Sequence, residues 1–364
     1  MAADFKTRTA KARAATKEHG LDWLIVPPSA DLTYLTGVHA EPGDRLTVLL
    51  VPAEGEAVLL MPLLEAAAIE EDAAPASLVR WSDGADPRTL IAERLDGARA
   101  VGVGGSFWAR DLLVLQAQLA SARIVEATAL LTPLRLTKDV AELDALRRAA
   151  HAADRVAARI AAEGLGGRTE GAVAARVEEM IIEEGHDKVS FRIVASGPHG
   201  AQPHYSGGTR TIEQGDLVVL DFGGSIDGYH SDITRTFAVG DPGPDARAVY
   251  EAVRRAQEVG VQEAAKQNAT TGGVDRAVRA VLEGAGFGEY VVHRTGHGLG
   301  QELHEPPYIV DGDETVLTEG MVFSIEPGLY LPGRFGVRIE DIVAFTADGV
   351  ERLNQADRSL QIVS

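Results

Sequence analysis

The sequence of 364 residues has no cysteine, which excludes disulfide bonds, thiolate metal ligands and a secreted disulfide scaffold. No apolar run approaches the length needed to cross a bilayer. Basic residues are also few, because 35 Lys and Arg stand against 54 Asp and Glu. The resulting charge of −19 argues against a nucleic-acid backbone or an anionic membrane as a partner. Residues 1–20 are charged and lack the apolar core of a signal peptide, so a cytoplasmic location is expected.

The chain is long enough for two domains, and the segment up to about residue 130 alternates helical and strand patterns. This alternation predicts a smaller α/β domain over residues 1–130. Its predicted helices are Phe5–Glu18, Leu63–Glu71, Arg88–Leu95 and Ala109–Ala122, and its predicted strands are Asp22–Val26, Leu46–Val51, Arg99–Val103 and Arg123–Glu126. The Gly102–Gly105 stretch lacks the spacing and the acidic partner of a nucleotide site, so we interpret it as a strand-to-helix turn.

The second domain is predicted over residues 131–364. The stretch Leu130–Asp139 contains a proline and a Thr-Lys-Asp helix start, and we place the domain boundary near it. Apolar residues at spacings of three and four follow in four segments. The helices predicted from them are Val140–Glu163, Glu170–Glu184, Ala246–Gln267 and Gly273–Gly284. A predicted strand, Val189–Val194, leads into a loop of small residues that contains His204.

The stretch Gly215–Gly240 predicts a β-hairpin that carries two aspartates. A short apolar run before Asp221 is typical of a strand buried on both faces, and a β-branched run after Asp232 predicts the returning strand. Two buried like charges cost several kcal/mol each unless a cation neutralises them, which favours a metal site. From this stretch alone, the alternative that both aspartates only occupy turns and helix caps has the same weight as a metal site.

The region His293–Asp341 supplies the other candidate ligands. His297 lies among glycines that allow close backbone approach, Glu326 follows the predicted strand Met321–Ile325, and Glu340 follows the predicted strand Val337–Ile339. Each residue is unremarkable alone. As a set with Asp221 and Asp232, they predict a metal centre.

The order and context of these residues closely resemble the pita-bread metallopeptidases, the family of methionine aminopeptidase, aminopeptidase P and prolidase. The resemblance implies an α+β fold: a C-terminal pita-bread domain after a creatinase-type α/β domain, which methionine aminopeptidase normally lacks. It also implies a homodimer. By motif, it assigns the residues of DFG, SDITRT, GHGLG, IEPG and RIED as metal ligands, namely Asp221, Asp232, His297, Glu326 and Glu340.

The same resemblance assigns residues that act on the substrate, a small peptide with proline in second position. His204, His304 and Glu326 are assigned as catalytic residues, and His293, Arg338 and Tyr308 as substrate-binding residues. Four carboxylates and one imidazole form a hard site that suits two Mn²⁺ or Co²⁺ ions at least as well as Zn²⁺. Such a pair of ions activates water as a nucleophile, and Glu326 is expected to relay a proton to the proline nitrogen.

The subfamily is predicted to be prolidase, an Xaa-Pro dipeptidase, with aminopeptidase P as the alternative. Related short microbial enzymes often continue the HE motif as HE-x-P-R, whose arginine grips a dipeptide carboxylate, whereas this chain has Tyr308 at that position. Either another basic residue such as Arg334, or one from the N-terminal domain, takes that role, or longer peptides are accepted. A non-catalytic binding or chaperone protein of this fold, or a metal-free creatinase, is a further alternative that the intact ligand set disfavours.

Overall fold

The structure is a computed structural model that describes residues 4–66, 69 and 76–364. The chain divides into two compact units, one ending at Arg135 and the other running from Leu136 to Ser364. The sequence analysis expected the division five residues earlier, after residue 130. Among the described residues, no helix is both long enough and apolar enough to cross a membrane.

The first unit is an α/β unit built on a sheet of six described strands. The strand order is β4-β3-β2-β1-β5-β6, from β1 (Trp23–Val26), β2 (Val48–Pro52), β3 (Val58–Pro62), β4 (Ser77–Trp81), β5 (Ala100–Val103) and β6 (Arg123–Glu126). The helices are α1 (Phe5–Glu18), α2 (Ala30–Thr36), α3 (Leu63–Ala66), α4 (Pro87–Arg94), α5 (Ala109–Gln118) and α6 (Thr128–Leu136).

This sheet is buried on both faces, because alternate residues of its inner strands enter different clusters. Leu24 and Leu49 pack into one cluster, whereas Ile25 and Leu50 pack into the other. Burial on both faces explains why the inner strands are continuous apolar runs. The Gly102–Gly105 stretch is the predicted turn from β5 toward α5. The predicted helix Leu63–Glu71 is seen as far as Ala66, and most of its remainder lies outside the described residues.

The second unit has two pairs of long helices and three sheets. The helices are α7 (Val140–Glu163), α8 (Glu170–Glu183), α9 (Gly243–Ala264) and α10 (Thr271–Gly284). The first sheet has the order β18-β10-β8-β7, with β9 (Tyr229–His230) on β8, from β7 (Lys188–Ser196), β8 (Leu217–Ile226), β10 (Ile233–Val239) and β18 (Ile362–Val363). The second has the order β12-β11-β13-β16-β17, from β11 (Gly296–Gly298), β12 (Glu305–Ile309), β13 (Val322–Ile325), β16 (Asp341–Thr346) and β17 (Gly349–Arg352). The third pairs β14 (Gly328–Leu331) with β15 (Phe335–Arg338).

Each pair of helices covers strands that lead to the candidate site. Val156 of α7 and Val177 of α8 share a cluster with Phe222 of β8. In the other half, Val253 of α9 packs in one cluster with Leu329 of β14. The apolar faces of the helices therefore fix the strands from one side, and the polar ends of the strands are left to form the site.

The start of α7 fits the Thr-Lys-Asp signal in the sequence. The Asp139 side chain accepts a hydrogen bond from the Glu142 backbone at 2.9 Å, and Glu142 accepts one from the Asp139 backbone at 3.0 Å. This reciprocal capping box fixes the first turn. Glu142 also accepts a hydrogen bond from the Tyr229 hydroxyl at 3.0 Å, which ties α7 to the tip of the aspartate hairpin.

Candidate metal centre

A cavity of about 880 Å³ in the second unit collects nine of the ten residues that the sequence analysis names as ligands, catalytic residues or substrate contacts. Its wall includes Asp221, Asp232, His297, Glu326, Glu340, His204, His293, His304 and Arg338 among the predicted residues. Tyr308 is not part of this wall and lies behind Arg294, whose guanidinium carbon is 4.4 Å from the centre of the Tyr308 ring.

The aspartate hairpin delivers two buried carboxylates to the cavity. Asp221 lies within β8 opposite Thr234 of β10, and Asp232 directly precedes β10 rather than lying inside it. A side chain at Gly223 is impossible at this point, because a Cβ atom there would be 2.0 Å from the Ser231 carbonyl oxygen. Gly223, two positions after Asp221, therefore lets the returning chain approach closely enough to bring Asp232 beside Asp221.

His297 is held between two glycines that also permit close backbone contact. A Cβ atom at Gly296 would be 2.0 Å from the Ser324 carbonyl oxygen, and one at Gly298 would be 2.3 Å from the Pro306 carbonyl oxygen. The His297 Nδ1 atom is 3.0 Å from the Gly298 carbonyl oxygen. A carbonyl only accepts hydrogen bonds, so Nδ1 carries the proton and Nε2 presents its lone pair, 3.3 Å from Glu326 Oε1.

Burial, followed by the charge of His304, lowers the pKa of His297 to about 3. The imidazole is consequently neutral at physiological pH, which is the form that binds metal ions.

Hydroxyl groups hold the two glutamates. The Ser324 hydroxyl donates to Glu326 Oε1 at 3.1 Å, and the Thr234 hydroxyl donates to Glu340 Oε2 at 2.7 Å. Glu340 follows β15 and also donates its backbone N–H to the Thr234 carbonyl oxygen at 3.1 Å. Together with the hydroxyl contact, this backbone hydrogen bond joins the RIED segment to the aspartate hairpin.

The carboxylates destabilise one another electrostatically. Burial and then the charges of Glu340 and Asp221 raise the pKa of Asp232 well above its usual range. Burial and then the charges of Glu326 and Asp221 do the same to the pKa of Glu340. Burial raises the pKa of Glu326 to about 7, although the Arg338 charge acts in the opposite direction. A cluster of this kind needs a positive charge in its centre.

A divalent cation fits this cluster. The Oδ1 atoms of Asp221 and Asp232 are buried, and neither has a hydrogen-bond partner among the described residues. Ligand atoms lie within 4.8 Å of one another in the group Asp221, Asp232 and Glu340 and in the group His297, Glu326 and Glu340. Carboxylate oxygens with one imidazole are a donor set that suits hard and borderline divalent ions.

Arg338 and His293 belong to one buried network around Tyr330. The Arg338 guanidinium donates to the Tyr330 hydroxyl at 2.6 Å and pairs with Asp221 Oδ2. His293 Nδ1 donates to the Arg294 carbonyl oxygen at 2.6 Å, and its Nε2 accepts from the Tyr330 hydroxyl at 2.8 Å. Burial and then the charge of Arg338 hold the pKa of His293 down at about 4, so this ring is neutral as well.

Sequence reasoning missed four residues of the site: Thr234, Ser324, Tyr330 and Arg294. The first two had a detectable signal, because Thr234 follows Asp232 by two positions and Ser324 precedes Glu326 by two positions. Side chains two apart on a strand share a face. Tyr330 and Arg294 had no such signal, since their contacts depend on how separate strands pair.

Four carboxylates and an imidazole in one buried cavity define a protein that binds divalent metal ions. Residues 144–347 match Metallopeptidase family M24, and residues 8–137 match the Creatinase/Prolidase N-terminal domain. The chain belongs to metallopeptidase family M24. Its predicted resemblance to the pita-bread enzymes and its predicted two-part α+β architecture are thereby confirmed.

Individual relatives match over nearly the whole chain. A probable dipeptidase PepE from Mycobacterium bovis is 46% identical, covering 99% of this chain and 96% of the relative. An Xaa-Pro dipeptidase from Lactobacillus delbrueckii subsp. lactis is 34% identical, covering 95% of this chain and 96% of the relative. The crystal structure of a recombinant prolidase from Thermococcus sibiricus superposes with a TM-score of 0.94 at 37% identity, covering 100% of both chains.

Proposed function

We propose that this chain is a metal-dependent peptidase of the prolidase type, which hydrolyses the bond before proline in Xaa-Pro dipeptides. The observation that carries the proposal is the convergence of four carboxylates and one neutral imidazole on a single cavity large enough for a dipeptide. The relatives support it, because one is named an Xaa-Pro dipeptidase and another a prolidase.

Two divalent ions per chain would be held by this set. Asp221 and Asp232 would hold one ion, His297 and Glu326 the other, and Glu340 lies within reach of both groups. Mn²⁺ or Co²⁺ suits the oxygen-rich donors, with Zn²⁺ as the next candidate. When bound, such ions polarise a carbonyl oxygen and lower the pKa of water so that it can attack at neutral pH.

The chain's own residues orient the substrate and move the proton. Glu326 keeps 16% of its side chain exposed toward the cavity, where it can take a proton from the attacking water and pass it to the departing proline nitrogen. His304 lies with its ring centre 4.0 Å from that of His297 and can donate to the oxygen that develops negative charge. In the part of the chain that the structure describes, neither His304 nor His204 forms a hydrogen bond, so both rings are available to a peptide.

Arg338 and His293 support the site from the side of the Asp221 carboxylate. The Arg338 guanidinium fixes the orientation of Asp221, and His293 fixes Tyr330, which in turn receives a hydrogen bond from Arg338. Both residues also line the cavity, so contact with the substrate remains part of the proposal for each.

The test is hydrolysis by the Mn²⁺-loaded protein of an Xaa-Pro dipeptide, an Xaa-Pro-Xaa tripeptide and an Xaa-Ala dipeptide as the control for proline specificity. Cleavage of the Xaa-Pro dipeptide in preference to the other two is expected. Preference for the tripeptide would identify an aminopeptidase P instead. Failure to cleave any of the three, with the metal bound, would contradict peptidase function and favour a binding protein.

A homodimer, which the family resemblance implies, and a cytoplasmic location are further parts of this proposal. Sedimentation equilibrium of the full chain should give twice the monomer mass of 38.6 kDa. A monomer at micromolar concentration would contradict the homodimer. Fractionation of the source cells tests the cytoplasmic location.

A further inference from the structure

Arg294 lies in the cavity wall, and its positive charge has no ion-pair partner among the described residues. The side chain is half-buried and lines the same cavity as the predicted ligands. Within residues 4–66, 69 and 76–364, its guanidinium forms no hydrogen bond and no ion pair. The guanidinium carbon lies over the face of the Tyr308 ring, 4.4 Å from the ring centre. The other arginine of the wall, Arg338, is already engaged with Asp221 and Tyr330.

Strand pairing explains why Arg294 and Tyr308 meet. Tyr308 on β12 is the register partner of His297 on β11, and Arg294 lies three positions before His297. Tyr308 therefore lies on the strand beside the ligand strand, where its ring contacts and supports the planar guanidinium. A guanidinium over an aromatic face is held in orientation while its N–H groups stay free to bind.

The charge of Arg294 reaches the place where the substrate must lie. Arg294 lines the cavity together with His304, the ring that we place next to the reacting carbonyl. The half-buried guanidinium keeps its N–H groups available to a ligand that carries a negative charge. An Xaa-Pro dipeptide has one group of that charge in every member of the class, its terminal carboxylate, which a guanidinium can bind through two parallel hydrogen bonds.

We propose that Arg294, supported by the ring of Tyr308, binds the terminal carboxylate of the dipeptide and so restricts the enzyme to dipeptides. This inference rests on the proposed function and deepens it. Tyr308 replaces the arginine of the HE-x-P-R motif and has no charge of its own. Arg294, which stacks on the Tyr308 ring, supplies the charge that binds the carboxylate. Arg334, the other residue considered from the sequence, pairs with Asp245 at 3.0 Å and does not line the cavity.

A tripeptide lacks this interaction at the same position. A residue after proline replaces the carboxylate with a neutral amide, which cannot form the charge-assisted pair. The loss should be about 10- to 100-fold, the size of one hydrogen bond to a charged group.

The experiment compares kcat/KM for an Xaa-Pro dipeptide and its C-terminal amide in the Mn²⁺-loaded protein. The wild type should prefer the acid by about 10- to 100-fold. In Arg294→Met, KM for the acid should rise and the acid-to-amide ratio should fall to within about 3-fold of unity. Tyr308→Leu should lower the ratio in part, and Tyr308→Phe, which keeps the ring, should retain it. Arg334→Gln is the matched control and should leave the ratio as in the wild type.

Binding of an uncleavable analogue, with the scissile carbonyl reduced to methylene, separates this inference from the proposed function. Calorimetry should show that the acid binds more tightly than the amide, and that Arg294→Met removes the difference. If this difference is found but no peptide is cleaved, the proposed activity fails and the carboxylate site stands. An acid-to-amide ratio near unity in the wild type, or equal losses on both substrates in Arg294→Met, would overturn the inference. An effect of Arg294→Met confined to substrates with an acidic first residue would overturn it too, by assigning Arg294 to that side chain.

Discussion

At the residue scale, the site residues are accompanied by polar residues two positions away in the chain. Thr234 follows Asp232, Ser324 precedes Glu326, and Arg338 precedes Glu340. Two of these polar residues contact a carboxylate from a different segment of the chain. The Thr234 hydroxyl donates to Glu340, and the Arg338 guanidinium pairs with Asp221. Glu340 and Asp221 are thus oriented by groups from other elements, and Glu326 by Ser324 of the strand that it follows, which keeps oxygen lone pairs directed to a common centre.

Because the buried carboxylates repel one another, we expect that replacing one of them lowers activity without lowering the stability of the metal-free protein. Glu340→Gln should abolish hydrolysis, because a neutral amide is a poor ligand for a divalent ion. In the metal-free protein, the same change removes a charge that burial and Glu326 disfavour, so the melting temperature should equal or exceed that of the wild type. Activity assays and thermal unfolding with and without chelator measure both quantities.

Asp232→Asn is the companion variant, because its carboxyl group is also buried and also faces Glu340. It should behave in the same way. Undiminished turnover in either variant would contradict the ligand assignment. A large drop in the melting temperature of the metal-free variants would contradict the electrostatic argument and indicate that the carboxylates stabilise the apo fold.

At the element scale, a buried ion pair joins the segment before α7 to the strand that follows His304. The Lys138 ammonium is 2.7 Å from Glu305 Oε1, and the two side chains are 1% and 3% exposed. Glu305 begins β12, whose later residue Tyr308 lies opposite His297. The pair therefore fixes the position of both His304 and the β12 ring that contacts Arg294.

We expect Lys138→Met to lower the free energy of unfolding by about 3–5 kcal/mol, because it removes a buried cation from Glu305. Glu305→Leu should lower the free energy of unfolding by a similar amount. The double variant should be less destabilised than the sum of the single variants, because no buried charge of this pair remains. Denaturant unfolding of all three measures the coupling, and additive losses would show that the two groups do not depend on one another. Arg148→Met, which disrupts an exposed pair with Asp227, is the surface control and should change stability by about 1 kcal/mol or less.

Element periodicity accounts for most of what the sequence predicted correctly. The bounds of α1, α7 and β6 match their predictions, because long amphipathic repeats, a capping box and a bounded β-branched run are local signals. In the first unit, the predictions missed α2, β3, β4 and α6. In β4 only Trp81 is buried, so this edge strand lacks the apolar run that marks the inner strands. The helix α6 contains Pro133, which the sequence analysis interpreted as a boundary signal.

At the scale of the whole molecule, the site depends on pairings between residues far apart in the chain. The sequence predicted that strands end on carboxylates, and it predicted the hairpin of Asp221 and Asp232. It could not give the register that places Asp221 opposite Thr234, nor the bridge between Glu340 and Thr234. The stack of Arg294 on Tyr308 was hidden for the same reason, because β11 and β12 are paired with an irregularity after His297.

The whole chain should be more stable with its metal than without it. A ligand that binds only the folded state adds about 2.7 kcal/mol at a free concentration 100 times its dissociation constant. Chelation removes this contribution and leaves Asp221, Asp232 and Glu340 to repel one another in the interior. We expect the melting temperature to rise with added Mn²⁺ and metal analysis to find two ions per chain. Glu340→Gln, the matched variant, should bind fewer ions and show a smaller rise. An unchanged melting temperature together with less than one bound ion per chain would show that this cavity is not a metal centre, and the proposed peptidase activity would fail with it.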